Sequence, residues 1–165
     1  MTPAPTLPDE DARLRALHAL NLLDTPPEER FDRVVRFAAE QLDMPIALMT
    51  LIDRERQWFK SSRGMKVEQT GRDVSFCGHA IVTSGLFIVE DAHCDARFAD
   101  NPLVTGDPHV RFYAGAPLSA PDGHRIGTLC VIDTEPRSVG PLELSILVAL
   151  QALVNDTIAG VEEAQ

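Results

Sequence analysis

Three cysteines, five histidines and an arginine–tyrosine pair are the side chains of this 165-residue chain that have the most chemical reach. Cys77 and His79 are one residue apart, and His93 and Cys94 are adjacent. Two thiols and two imidazoles make a zinc donor set, but structural zinc sites space their ligands C-x₂₋₄-C and H-x₃₋₅-H. Neighbouring residues on a strand or loop also point apart. The spacing argues against a metal centre. Ser75 suits a helix cap, which would place Cys77 in a first helical turn, where a thiol's pKa can fall and its reactivity rise. The alternative is a small buried side chain, and it weighs more, because free cysteine packs as a hydrophobe. Cys130, between Leu129 and Val131, reads as core.

Arg111 and Tyr113 alternate onto one face of an expected strand, with Phe112 and Ala114 on the other. An arginine and a tyrosine beside a loop suit a carboxylate or phosphate on a small ligand. An ion pair from Arg111 to Asp100 or Asp107 is the competing reading. Trp58 and Phe59 are expected to pack, one per face. The chain holds no P-loop, G-x-G-x-x-G or H-E-x-x-H, and no Ser-His-Asp order, so NTPase, dehydrogenase, zinc-protease and hydrolase readings have no foothold.

The elements that must position these groups follow from periodicity. Residues 1–8 are proline-rich and are expected to be a disordered tail, with one domain over 9–165. A helix from Asp9 is stopped by Thr25-Pro26-Pro27, which opens the next helix. There Phe31, Val34, Val35, Ala38 and Leu42 form an amphipathic stripe. Ile46–Ile52 is apolar on both faces, as a strand covered above and below must be. Gln57–Lys60 is a plausible partner strand, and Ser61–Asp73 a polar loop. A short helix from Phe76, a strand at Leu86–Val89 and a long connection over 91–110 follow, with a helical turn expected at Asp95–Ala99. A connection of that length is usually functional. Pro121-Asp122-Gly123 turns between strands Phe112–Leu118 and Arg125–Asp133. A last helix runs from Pro141 to about Val161. Terminal helices around hairpins imply an α+β class with an antiparallel sheet.

A net charge of −10 opposes nucleic-acid binding. No secretory signal is visible and no apolar run approaches the roughly 18 residues of a membrane helix. A cytoplasmic protein with no membrane or nucleic-acid partner is the expectation, with its thiols reduced.

The blocks Ser75-Phe76-Cys77-Gly78-His79-Ala80-Ile81, Asp95–Pro102, Arg111–Leu118 and Gly127–Asp133 resemble bacterial GAF domains found beside histidine kinases and diguanylate cyclases. Leu23–Asp32 is similar to that family's entry segment. The resemblance implies a six-stranded antiparallel sheet, terminal helices on one face, and on the other a pocket closed by the short helix and the long loop. On that reading Phe76, Cys77, His79, Asp91, Phe98, Arg111 and Tyr113 would line a ligand site. The chain lacks the Asn-Lys-x-Phe-Asp-Glu pattern of cyclic-nucleotide-binding members and the Cys-His pair of bilin-binding ones, so ligand and cofactor stay unassigned.

In the last helix, apolar residues span an arc of about 220°, where one buried stripe needs about 100°. The surplus, with the family's habit of pairing through terminal helices, predicts a homodimer through Leu14, Leu17, Leu147, Val154, Ile158 and Val161. The expected function is a sensory module, not an enzyme. It would bind a small molecule or register redox state, and relay this to a kinase or cyclase in another chain or elsewhere in a longer polypeptide. Two alternatives remain: a free methionine-(R)-sulfoxide reductase using Cys77 and Cys94, and a dimerisation module without ligand.

Overall fold

The computed structural model describes residues 1–160. Helices α1 (Glu10–Ala19) and α2 (Glu29–Gln41) precede strands β1 (Ile46–Ile52), β2 (Arg56–Arg63) and β3 (Gln69–Gly71). Then come α3 (Phe76–Ala80), β4 (Phe87–Val89), a 3-10 turn at Ala92–Cys94, α4 (Pro102–Thr105), β5 (Phe112–Ser119), β6 (Arg125–Asp133) and α5 (Pro141–Ile158). The strands form one antiparallel sheet in the order β3-β2-β1-β6-β5-β4.

All seven residues of β1 are buried, as its two-sided apolar run requires. Side chains alternate along the central strands between two cores. Ala47, Met49, Leu51, Phe112, Ala114, Leu129 and Val131 face the terminal helices. Ile46, Leu48, Ile52, Tyr113, Cys130 and Ile132 face a lid made by α3 and residues 91–110. Trp58 packs on the helix side and Phe59 on the lid side. The stripe of α2 is fully used, since Phe31, Val34, Val35 and Ala38 are buried.

Several expectations are corrected. The sixth strand, β3, lies inside the segment read as a polar loop; three residues are too few to show a period. The helical turn expected at Asp95–Ala99 is present, with the Ala99 N–H donating to the Asp95 carbonyl at 2.8 Å, but the connection also holds the 3-10 turn and α4, which Asn101 caps by accepting the Leu103 N–H. Residues 1–8 are not a loose tail. Leu7 is buried in the lid-side core, Thr2 N–H donates to the Arg97 carbonyl, and Ala4 N–H to that of Asp73.

The dimer seam is also corrected. Leu14, Leu17, Leu147 and Val154 are each at most 2% exposed inside the helix-side core, so they cannot meet another chain without unfolding their own. Ile158 packs against the same core, and Val161 lies outside the described residues. The broad arc of α5 arises because the helix touches both β5 and α2; its outward face keeps Leu142 and Val148 exposed. Pro141–Ile158 is long and apolar enough, at mean hydropathy 1.3, to cross a membrane by length and composition, contrary to the expectation that nothing approaches this. Here Leu147, Leu150, Val154 and Thr157 lay it on the domain.

Candidate functional site

Five of the seven residues expected at a ligand site meet beneath the lid. Ser75 accepts the Gly78 N–H through its side chain and donates to the Arg72 carbonyl, which fixes where α3 starts. Phe76 and Cys77 then point at the sheet. Phe76 stacks on Phe98 with centroids 4.1 Å apart, and Tyr113 lies 5.3 Å from Phe76. The His79 ring meets Phe98 edge-on at 4.9 Å. Burial pushes the His79 imidazole below its usual pKa, and the neutral ring donates from Nε2 to the Thr2 carbonyl at 3.1 Å. Arg97, absent from the sequence expectations, spreads its guanidinium over Phe87 and Phe98 at 5.1 and 5.2 Å while pairing with Asp95.

Asp91 and Arg111 serve the loop instead. Asp91 accepts the His93 N–H and the Cys94 thiol. Arg111 donates to the carbonyls of Val104 and Val110, which replaces both the ligand contact and the ion pair considered for it.

Cys77 has a polar shell. Tyr113 Oη donates to its Sγ at 3.1 Å and Thr128 Oγ1 at 3.0 Å; Thr50 Oγ1 sits 3.0 Å from Thr128 Oγ1. Cys130 Sγ lies 3.8 Å away. Burial alone raises the Cys77 pKa, but hydrogen bonds from Cys130, Thr128, Tyr113 and Thr50 bring it down to about 7. Cys130 is held well above its ordinary value by burial and by Cys77. The activating shell thus consists of the Cys130 thiol and side-chain hydroxyls, groups that the reading of the sequence did not bring to Cys77. A Cβ on Gly115 would stand 2.2 Å from Tyr113 Oη, so this glycine makes the space in which the hydroxyl reaches Cys77.

Cys94 is exposed, and its neighbour Asp91 pushes its thiol up. The thiol partner of Cys77 is therefore Cys130, not the Cys94 named in the reductase alternative. No cluster of three or more His, Cys, Asp or Glu suited to a metal ion occurs among the described residues.

The space beneath the lid is nearly filled. The hollow bounded by Phe76, Cys77, Tyr113, Gln57, Leu103 and Val110 measures about 20 Å³, room for a single water. A much larger open hollow, about 940 Å³, lies elsewhere, between the start of α2, the outer part of β2 and residues 65–68. Sequence periodicity carries no signal for either volume.

Comparisons with known proteins agree with this architecture. The chain is 46% identical over 142 residues to a cyclic di-GMP phosphodiesterase of Pseudomonas aeruginosa, covering 86% of this chain but only 24% of that relative. The expectation that no enzyme is involved is corrected by this relative, which carries an enzyme's name and of which the chain spans about a quarter. The GAF domain of an Acinetobacter phosphoenolpyruvate-protein phosphotransferase superposes with a TM-score of 0.63 at 18% identity, covering 93% of this chain and 96% of that one. The free methionine-R-sulfoxide reductase of Neisseria meningitidis superposes at 0.65 with 15% identity over the whole of both chains, a likeness of fold alone. The GAF domain pattern itself matches residues 26–158, and with the six-stranded sheet, its helix layer and its lid in place, the chain belongs to the GAF domain family.

Proposed function

We propose that this chain is the sensory part of a cyclic di-GMP signalling protein, in which events under the lid are relayed through the sheet to the terminal helices. One observation carries the reading: the lid-side and helix-side cores are built on the same strands, with Tyr113 beside Phe112 and Cys130 beside Val131. A shift of the lid changes the packing beneath the helices through residues one position away. Coupling of this kind requires an input that binds one packing better than the other.

The input is a small molecule held among Phe76, Cys77, His79, Phe98 and Tyr113. Because the hollow holds only about 20 Å³, any larger ligand enters by displacing α3 and the 91–110 loop. The output face is the outer side of α5 with Leu142 and Val148, together with Phe37 on α2, where a second copy docks and a phosphodiesterase or similar effector is controlled.

A thermal-shift screen of cyclic nucleotides, haem, amino acids and purines, followed by hydrogen exchange, tests the relay. A ligand that raises the melting point and slows exchange in both α3 and α5 supports it. Binding that leaves α5 unchanged sinks the relay, and a screen in which nothing binds leaves dimerisation without ligand as the better account.

A further inference from the structure

Two sulfur atoms face each other across the lid-side core. Cys77 on α3 and Cys130 on β6 are 53 positions apart in sequence, with Sγ atoms 3.8 Å apart. A disulfide holds its sulfurs at about 2.05 Å, so the pair has roughly 1.8 Å left to travel. Tyr113 and Thr128 both donate to Cys77, an environment that favours the thiolate, which is the nucleophilic form.

Beside Cys77 and Tyr113 lies the hollow of about 20 Å³. Gln57 also lines it and is only 4% exposed. Its Nε2 donates to Thr70, but its Oε1 has no hydrogen-bond partner among the described residues. A buried acceptor left unsatisfied costs free energy. The hollow thus offers a nucleophilic sulfur and an acceptor in need of an O–H, in a space for one water-sized guest. Hydrogen peroxide, only slightly larger than water, supplies the O–H donor and carries the electrophilic oxygen.

The geometry points to a peroxide-reactive dithiol: hydrogen peroxide occupies the hollow between Gln57 and Cys77, and Cys77 and Cys130 then close to a disulfide that pins α3 to β6. In the first step the Cys77 sulfur bonds to one peroxide oxygen, the O–O bond breaks, and the departing hydroxide leaves as water with the Cys77 proton. Cys130 sulfur next attacks the Cys77 sulfenic sulfur. The S–O bond breaks, and its hydroxide leaves as a second water with the Cys130 proton. Two thiols are oxidised to one disulfide, and one peroxide is reduced to two waters. As an input to signalling this rests on the sensory reading above; the thiol chemistry is measured apart from it.

The test uses Cys94→Ser protein, which removes the exposed thiol. Hydrogen peroxide is expected to remove two hydrogens per chain by intact-mass spectrometry. A non-reducing digest should contain a Cys77–Cys130 linked peptide pair that dithiothreitol separates. Oxidised glutathione and Ellman's reagent, too large for the hollow, should leave both thiols reduced in folded protein. Cys130→Ala should stop at a Cys77 sulfenic acid, captured by dimedone once the peroxide is removed and the chain is unfolded in urea. Gln57→Leu should slow the peroxide step about tenfold through loss of one hydrogen bond, with oxidation of the urea-unfolded chain unchanged. Survival of both thiols in peroxide that oxidises Cys94 of the unsubstituted protein overturns the inference. So does reaction with Ellman's reagent as fast as with peroxide, which would mean general opening and no site. A bridge that forms without altering hydrogen exchange in α5 supports the dithiol chemistry and removes the relay.

Discussion

On the helix side of the sheet, Leu14, Leu17, Phe31, Val34, Leu147 and Val154 meet an apolar strand surface, edged on β2 by Lys60 paired with Glu28 and Ser61 bonded to Asp32. On the lid side, the same strands meet aromatic rings, two thiols and buried hydroxyls, with one amide oxygen unsatisfied. The centre of the first packing holds no thiol and no aromatic hydroxyl, so its content is stability. The second keeps polar groups in a dry interior, where each unmet hydrogen bond is costly. The contrast teaches that the two layers of this fold differ in the chemistry they can perform, although strand burial is similar on both.

The contrast breaks most visibly from the helix side. Phe31→Ala, at a residue with no exposed surface, should cost about 3–5 kcal/mol in urea unfolding while leaving the Cys77 thiol titration unmoved. Next is the tie between layers. Glu10 on α1 pairs with buried Arg13 and with Arg72, the residue whose carbonyl accepts from Ser75 at the head of the lid helix. Burial would raise the Glu10 pKa, but hydrogen bonds and charge from Arg13 and Arg72 hold it at about 2. Its contribution is therefore complete above its ordinary value of 4.5 and is lost as pH falls from there towards 2. Glu10→Gln should remove about 3 kcal/mol at neutral pH and flatten the acid limb of the stability curve. An unchanged acid limb would show that the pair does not link the layers.

Smaller effects belong to the lid side. Gly115→Ala places a methyl on the Tyr113 hydroxyl and should cost about 1–3 kcal/mol, with the Cys77 pKa rising as Tyr113 is displaced. Tyr113→Phe removes one donor to Cys77 and should cost only about 1 kcal/mol, again with a higher thiol pKa by thiolate absorbance. If that pKa falls instead, the polar shell is not what lowers it.

Much of this frame was legible in the residues, and the failures have physical causes. The alternation in Arg111–Ala114 assigned Tyr113 to its face, and the two-sided run Ile46–Ile52 located the central strand. Blocks of resemblance, not periodicity, supplied the sixth strand, because Gln69-Thr70-Gly71 is short and polar. Neither spacing nor propensity brings Cys77 to Cys130: their approach is created by α3 crossing over β6, a tertiary event. The dimer residues failed because an apolar arc records how much of a helix is covered, not by whose atoms. Nor did the prolines near the N-terminus betray that Leu7 is held by the lid.

The brevity of β3 has one more effect. It pairs with β2 only at Arg56–Trp58, so among the described residues the outer edge of β2 from Lys60 to Arg63 has no neighbouring strand. A bare margin of this sort invites a foreign chain to dock in register and seed fibrils. Exposed Arg63 beside Glu40, and nearby Lys66 beside Asp107, set charged side chains along that margin, and an arriving copy would have to strip them of water before it could zip on.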